Sequence, residues 1–245
     1  MEESEEGNNY FLFSFRTSAS SIVRAFVSAV AMIPAGKVTI GEYEKLVQLL
    51  QNSGIIDSDL NWTGGKSHLV FLGDIFDRGK KVTHVLWFIY KLEQDALKKG
   101  GKIHVVLGNH EIMVMTKDLR YVSAKEQLIA TAHKTTYDYL FHPEKSVLGN
   151  WLKHKTSVLQ IDSFVFAHAG IIDFEEKSLQ HFNSKAYTHM TKPMFLDLIE
   201  DYPDTVSYSK KDWLDMRNFF FKYNSPYWFR GYVKSDTLEV SLDRM

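Results

Sequence analysis

The sequence predicts a layered α/β domain. Short apolar strands alternate with helical patterns along the first half of the chain, and a hairpin pattern follows them. The 245 residues are 44% hydrophobic and 14% aromatic, which is typical of a folded globular protein. A chain of this length buries most of the surface that its unfolded form exposes, so we expect one domain, or one domain with a small appendage.

The first helical pattern is "SIVRAFVSAVAMIPA", residues 21–35, which follows the acidic start "MEESEEGNNY". Arg24 interrupts its apolar residues, and no apolar run in the chain approaches the roughly 20 residues of a membrane span. We interpret the stretch as an amphipathic helix, with a cleaved signal or an anchor as the alternative. Residues 1–36 are therefore expected to form a helical N-terminal segment, and residues 37–245 the main domain.

The next elements alternate between helix and strand. Apolar residues at helical spacing predict a helix over 42–52, and Gly54 follows it as a C-cap. A buried strand is predicted over 67–72. The helical pattern over 82–101 ends at two glycines with lysines in its last turn, and a second buried strand follows over 102–107.

The second half of the chain predicts more helices and one hairpin. Residues 123–140 show a helical pattern, and "TSVLQIDSFVFAHAG", 156–170, is typical of two strands joined at Asp162-Ser163. Helical patterns recur over 192–200 and 211–222. The order strand, helix, strand, helix and hairpin indicates a layered α/β (α+β) architecture.

Charge and cysteine content exclude several classes of function. Lys and Arg number 29 against 30 Asp and Glu, so the net charge near −1 gives no indication of a nucleic-acid or anionic-membrane surface. The chain has no cysteine, which excludes disulfides and thiolate metal sites. We expect a cytoplasmic location.

Three apolar strands each run into a polar cluster. The clusters are Asp74–Gly79, Gly108–Glu111 and His168–Gly170. Loops at strand C-termini converge on one crevice in α/β folds, so Asp74, Asn109 and His168 are expected to meet. One carboxylate, one amide oxygen and one imidazole suit a divalent manganese, iron or zinc ion.

Further residues beside these ligands suit phosphate chemistry. Arg78 follows Asp74 by four residues, and its planar fork fits a phosphate group. His110 follows Asn109 directly, where it would protonate a leaving oxygen, and Asp77 would orient its ring. A metal ion, an arginine and a histidine that acts as a general acid together predict transfer of a phosphoryl group to water.

The motifs "GDIFDRG", "LGNHEIM" and "FAHAG" resemble those of the calcineurin-like metallophosphoesterases of the phosphoprotein-phosphatase type. The longer stretches "WTGGKSHLVFLGDIFDRG", "GNHEIMVMTKDLRYVSAKE" and "SPYWFRGY" resemble the Shewanella-like phosphatase branch, and the resemblance covers residues 42–235. It implies a sandwich of two mixed β-sheets with helices outside and a metal site at one edge.

The resemblance also implies roles for the ligand residues. Asp74 matches an aspartate that bridges two metal ions, and Asn109 and His168 match ligands of the second ion. The implied reaction is metal-dependent hydrolysis of a phosphorylated protein or of a small phosphoester. Nucleic acid is not an expected partner.

The same resemblance assigns the catalytic residues. His110 matches the general acid and Asp77 its partner, while Arg78 matches a phosphate-contacting arginine. Arg230, in "YWFRGY", matches a second such arginine, and Asn109 also lies beside the phosphate. A surface arginine that packs on nearby aromatic rings is the alternative for Arg230.

Two family motifs do not occur in this sequence. The Asp-x-His motif that ligates the first metal is missing, as if removed between Ile40 and Gly41. The closing Gly-His motif, whose histidine ligates the second metal, is missing as well, since no histidine follows His189. We therefore expect a fold that is incomplete at both ends and holds one ion or none. The alternatives to a phosphatase are a non-catalytic phosphate-binding or regulatory homologue and a truncated inactive copy, so activity as an enzyme is left open.

Other polar and aromatic residues are expected to have structural roles. Asp57, Asp59, His181 and His189 are interpreted as surface or cap residues, and His68 and His104 as packing histidines. An aromatic cluster near the C-terminus is interpreted as core packing, with a substrate pocket as the alternative; it comprises Phe219, Phe220, Phe221, Tyr223, Tyr227, Trp228 and Phe229.

Overall fold

The structure is a computed structural model that describes residues 12–15, 43–76, 79–162, 164–171, 178–199, 201–204 and 206–229, with the backbone alone for 12–15. The predicted N-terminal helix over 21–35 lies outside these residues. The chain divides into two compact units. The first runs to Val105 and includes Tyr121–Thr135, and the second comprises Val106–Arg120 and the chain from Thr136.

The described residues form five strands and seven α-helices. The strands are β1 (Leu12–Phe15), β2 (His68–Phe71), β3 (Lys102–Val105), β4 (Val158–Ile161) and β5 (Phe164–Ala167). The helices are α1 (Tyr43–Asn52), α2 (Val82–Lys98), α3 (Asn109–Met115), α4 (Ala124–Ala132), α5 (Val147–Lys153), α6 (Leu179–Met190) and α7 (Lys210–Phe221). Two 3₁₀ helices, Asp138–Phe141 and Pro193–Asp197, complete the described elements.

The first unit is built on a mixed three-stranded sheet in the order β1-β2-β3. β1 pairs antiparallel with β2, and β2 pairs parallel with β3, so that Phe71 lies opposite Val105. Leu69, Phe71, Ile103 and Val105 alternate along the two strands and are buried. Burying each such side chain stabilises the fold by about 1.5–3 kcal/mol.

Helix α2 covers this sheet by packing against β3. Its buried residues recur at helical spacing along one face, from Val82 through Leu86 and Ile89 to Ala96. The helix ends at Lys98, and Gly100 follows with φ of 76°, a left-handed conformation in which glycine has no steric cost. The predicted end of this helix at two glycines is confirmed.

The second unit combines parallel and antiparallel strand pairing. Val106, the residue after β3, forms a parallel bridge with Thr156, and β4 pairs antiparallel with β5. Asp162 in the connecting turn has φ of 54°, as a tight hairpin requires. The predicted hairpin is confirmed. α6 packs on β4, and α3 packs against α7.

The predicted helix over 123–140 is wrong in its second half. α4 ends at Ala132, and Lys134 then adopts φ of 57°, where a right-handed helix cannot continue. The backbone N–H of Thr135 donates to the carbonyl of Ala130, which closes the helix end. The pattern over 192–200 forms the 3₁₀ helix Pro193–Asp197, and the sequence did not predict α3, α5 or α6.

No helix among the described residues is both long enough and apolar enough to cross a membrane. β1 lies within residues 1–36 and pairs with β2, so this part of the segment is a strand and not the predicted helix. The boundary between residues 1–36 and 37–245 stays a prediction.

Candidate metal and phosphate site

Asp74 lies just after β2, at a sharp turn of the backbone. Gly73 has φ of 81° and Asp74 has φ of 52°, so two consecutive residues adopt left-handed conformations. Aspartate is one of the few residues other than glycine that tolerate this region. Asp74 is only 2% exposed, although a buried carboxylate is costly unless charges or hydrogen-bond donors surround it. A strained, buried acid is typical of a functional position.

The loop that begins at Asp74 is anchored at Gly79 within the first unit. The Ser123 hydroxyl donates a 2.9 Å hydrogen bond to the carbonyl of Gly79 and caps α4 by accepting from the N–H of Glu126. The buried carboxylate of Glu126 accepts a hydrogen bond from the Thr83 hydroxyl at the start of α2. The N-termini of α4 and α2 therefore fix the position of this loop at Gly79.

Asn109 and His110 form the first turn of α3 in the second unit. Gly108 caps this helix in an extended conformation, and its N–H donates to Glu111 Oε2 at 2.7 Å. Asn109, His110 and Glu111 are all buried. Asn109 Oδ1 is buried without a hydrogen-bond partner among the described residues. Such an acceptor is rare in proteins, and an amide oxygen in this position suits the coordination of a cation.

His168 follows β5 directly and is half-buried in a bend. The N–H of the next residue, Ala169, donates to the carbonyl of Pro226 at 2.9 Å. This bond brings the "FAHAG" motif beside "SPYWFRGY" in the second unit.

Two further hydrogen bonds connect these segments with "LGNHEIM". The N–H of Leu107 donates to the carbonyl of Thr156 at 2.8 Å. The side-chain hydroxyl of the following residue, Ser157, forms a hydrogen bond with the Tyr227 hydroxyl. Glu111, Ser157 and Tyr227 were not predicted as site residues. Only Glu111 has a sequence signal, because it lies at the third position of a helix that starts after Gly108.

Asp77, Arg78 and Arg230 lie outside the described residues. Asp74 belongs to the first unit, whereas Asn109, His110 and His168 belong to the second. The meeting of all three predicted ligands stays a prediction, as do the roles of the two arginines.

The donors that are described fit a divalent cation. Asp74 offers a buried carboxylate, His168 an imidazole, and Asn109 an amide oxygen without a hydrogen-bond partner among the described residues. This mixture of oxygen and nitrogen suits manganese, iron or zinc. The described residues contain no group of three or more His, Asp or Glu side chains placed to hold a metal, but the predicted set is of another kind because it includes an amide.

The other polar residues singled out from the sequence have structural contacts. Asp57 Oδ1 accepts from the N–H groups of Asn61 and Asp59 at 2.8 and 2.9 Å. The bond from the Asn61 backbone is the main reason that the pKa of Asp57 lies below its ordinary value. The rings of His68 and His104 hydrogen bond across β2 and β3 at 3.2 Å. The contact between His68 and His104 agrees with the predicted packing role, and those of Asp57 lie in a surface turn. His189 differs from the predicted surface or cap role, since its ring nitrogens are buried and its ring packs against those of Phe219 and Phe220.

The aromatic cluster near the C-terminus divides between core and surface. Phe220 and Tyr227 are fully buried and lie 5.6 Å apart between ring centroids, whereas Tyr223 is 60% exposed. Core packing is therefore confirmed for these two buried rings.

Comparison with known proteins identifies relatives along most of the chain. A family model described as calcineurin-like phosphoesterase matches residues 39–236. Shewanella-like protein phosphatase 2 of Arabidopsis thaliana is 44% identical over 85 residues, which cover 35% of this chain and 22% of that protein. Shewanella-like protein phosphatase 1 of Plasmodium berghei (strain Anka) is 24% identical over 220 residues, covering 82% of this chain and 60% of that protein.

A solved structure also resembles this chain. The crystal structure of the cold-active protein-tyrosine phosphatase of a psychrophilic Shewanella species superposes with a TM-score of 0.70 and 35% identity, covering 83% of this chain and 58% of that chain. The chain thus spans at most 60% of the length of these three proteins. The likeness confirms the predicted α/β metallophosphoesterase class. Because the family model matches most of the residues and the relatives share one branch name, the chain belongs to the calcineurin-like phosphoesterase family and resembles its Shewanella-like phosphatases.

Proposed function

We propose that this chain is a metal-dependent phosphatase that hydrolyses phosphomonoesters, either on proteins or on small molecules. Membership of the phosphoesterase family supports the reaction class. The observation that carries the proposal to this chain is Asn109 Oδ1, a buried acceptor without a hydrogen-bond partner among the described residues. Asn109 lies in the "GNHE" motif, where the reaction needs a metal ligand.

The proposed ligands of the cation are Asp74, Asn109 and His168. A divalent cation supplies Lewis acidity that activates water for attack on phosphorus. Manganese, iron and zinc all bind mixed oxygen and nitrogen donors of this kind. We propose one ion and not two, since the Asp-x-His motif that would ligate another ion does not occur in the sequence.

The remaining proposed residues bind phosphate and move one proton. Arg78 and Arg230 hold phosphoryl oxygens, since a guanidinium donates two parallel hydrogen bonds to them. As the bond from water oxygen to phosphorus forms and the ester bond breaks, His110 gives its proton to the departing oxygen. Asp77 orients the imidazole for this transfer. Phosphoprotein and small phosphoester substrates both fit this chemistry, and we expect the enzyme to work in the cytoplasm.

The test is manganese-dependent hydrolysis of p-nitrophenyl phosphate by the whole chain and by His110→Asn. Wild-type turnover is expected to require the metal, and the variant is expected to lose about 10²–10⁴-fold in kcat, which is what a general acid contributes. His133→Asn, an exposed histidine variant at the end of α4, serves as the matched control and is expected to keep wild-type turnover. Equal turnover with and without manganese, or in wild type and His110→Asn, would overturn the proposal. An inactive chain that still binds phosphate would favour the non-catalytic alternative.

A further inference from the structure

We propose that the hydrogen-bonded hydroxyl pair Ser157–Tyr227 is a positioning device that holds His168 in place for metal binding. This inference rests on the proposed function, because it takes His168 as a metal ligand. Ser157 lies outside the motifs that carry the proposed chemistry, and Tyr227, although it opens "YWFRGY", is not a proposed ligand or catalytic residue. Both are positioning residues, since they act on His168 through the backbone.

Tyr227 lies in a rigid part of the second unit. Its side chain is fully buried, and its ring lies 5.6 Å from Phe220 and 6.4 Å from Phe182 between centroids. The turn around it is closed by two bonds, because the N–H groups of Trp228 and Phe229 both donate to the carbonyl of Ser225 at 3.0 Å. The hydroxyl of Tyr227 is therefore held at a fixed point.

Ser157 is an equally fixed partner for that hydroxyl. Its own N–H donates to Asn183 Oδ1 on α6 at 2.8 Å. The carbonyl of the preceding residue, Thr156, accepts from the N–H of Leu107, two residues before Asn109. Ser157 is buried, so the Tyr227 hydroxyl has an anchor that is tied both to α6 and to the segment that leads into "GNHE".

The connection from Tyr227 to His168 passes through one backbone bond. Pro226, which precedes Tyr227, accepts the 2.9 Å hydrogen bond from the N–H of Ala169, which follows His168. A shift of the Tyr227 side chain would move Pro226, and with it the bend that carries His168. Metal sites need ligands held within about 0.5 Å of their productive positions, so a small shift is enough to weaken binding.

The protonation of Tyr227 agrees with a positioning role. Burial raises the pKa of its hydroxyl well above the ordinary value, and this outweighs the opposing effect of the bond to Ser157. The phenol therefore stays protonated at neutral pH. It provides a permanent hydrogen bond rather than a proton for the reaction.

The experiment measures the Kd of Mn²⁺ by isothermal titration calorimetry on the whole chain, with the thermal transition as a check of folding. Tyr227→Phe and Ser157→Ala are each expected to raise the Kd about 10–100-fold, which is typical when a group that orients a metal ligand is removed. The double variant is expected to bind no more weakly than the weaker single variant, because both changes remove the same bond. Ser157→Thr restores a hydroxyl and is expected to recover part of the affinity.

Tyr208→Phe is the control, since its hydroxyl donates a 2.8 Å bond to Asp197 Oδ2 in the same unit and neither residue is a proposed ligand. It is expected to keep the wild-type Kd. An unchanged Kd in a folded Tyr227→Phe or Ser157→Ala would overturn this inference and leave the proposed function standing. A wild-type chain that binds no Mn²⁺ would overturn both. Equal losses in Tyr208→Phe and Tyr227→Phe would show that the effect is general destabilisation, which also overturns the inference.

Discussion

Glu111 Oε2 accepts a 2.7 Å hydrogen bond from the backbone N–H of Gly108, and so fixes the start of α3. The same turn carries Asn109 and His110, the proposed ligand and acid. A helix start leaves four N–H groups without intrahelical partners, and this carboxylate satisfies the one at the cap residue. Glu111 is completely buried, so this hydrogen bond lies in the protein interior and not at the surface.

Replacement of Glu111 should therefore affect both stability and turnover. We expect Glu111→Ala to lower the free energy of unfolding by about 1–3 kcal/mol, because it leaves the Gly108 N–H buried without an acceptor. Glu111→Gln keeps an acceptor oxygen and should lose less. Urea unfolding of both variants, with p-nitrophenyl phosphate turnover alongside, checks this. Equal stability of the alanine and glutamine variants would contradict the role of the bond.

Asn109→Ala should separate metal affinity from stability. Asn109 Oδ1 is a buried acceptor without a partner among the described residues, which lowers the free energy of unfolding. Removing this oxygen should therefore offset the packing contacts that the smaller alanine side chain loses. We expect the metal-free variant to melt close to the wild type, while the Kd of Mn²⁺ rises about 10-fold or more. Calorimetry and thermal unfolding provide the two values. Asn150→Ala, an exposed asparagine variant on α5, is the control, and the prediction fails if both variants bind manganese alike.

The sequence predicted the elements that have a strong apolar pattern. Helix α2 presents buried residues at regular helical spacing, and β2 and β3 are short apolar runs next to glycines. The hairpin β4–β5 was predicted because Asp162-Ser163 separates two strand patterns. In each case an apolar pattern and a residue that breaks it lie in the same short stretch of chain, so local information is sufficient.

The sequence could not predict what depends on distant contacts. All seven residues of α3 are buried, so the helix has no exposed face and its polar and apolar residues do not alternate at helical spacing. The left-handed backbone of Asp74 and the bond from Ala169 to Pro226 likewise have no local signal. The candidate ligands could be proposed because strand ends followed by polar clusters are visible in sequence, and their role stays a prediction. The hydroxyl pair Ser157–Tyr227 was not, because its members are far apart in the chain.

His142 should make stability fall as pH falls. Its pKa lies below the ordinary value, mainly because burial disfavours the charged ring and also because Lys145 is near; Glu144 opposes the shift. In the unfolded chain the ring titrates near pH 6.5, so below that pH the unfolded state binds more protons than the folded state. The stabilisation is thus present above about pH 6.5 and is lost as pH falls further. Protonation would also end the bond in which His142 Nδ1 accepts from the Glu144 N–H.

His142→Asn tests this, because an asparagine oxygen can accept from the same N–H two residues on. We expect the melting temperature to fall less in the variant than in the wild type between about pH 7.5 and about pH 5.5. Scanning calorimetry at both pH values measures the difference, with His133→Asn as the control. Identical pH dependence of His142→Asn and wild type would show that His142 does not contribute.

Asp74 and Asp162 form a matched pair for the last prediction. Both are aspartates with left-handed backbone, at φ of 52° and 54°, but Asp74 is buried after β2 whereas Asp162 is exposed in the hairpin turn. Asparagine tolerates this conformation at least as well as aspartate, so neither Asp74→Asn nor Asp162→Asn should strain the backbone. Removal of the charge at Asp74 should instead weaken manganese binding about 10-fold or more, since the ion loses an anionic ligand.

We expect Asp162→Asn to keep both the wild-type melting temperature and the wild-type Kd. Asp74→Asn should gain less stability than the wild type when manganese is added, because a ligand that binds the folded state more weakly stabilises it less. Thermal unfolding of both variants with and without manganese measures this. An equal metal-induced shift in the two variants would mean that Asp74 does not bind the ion.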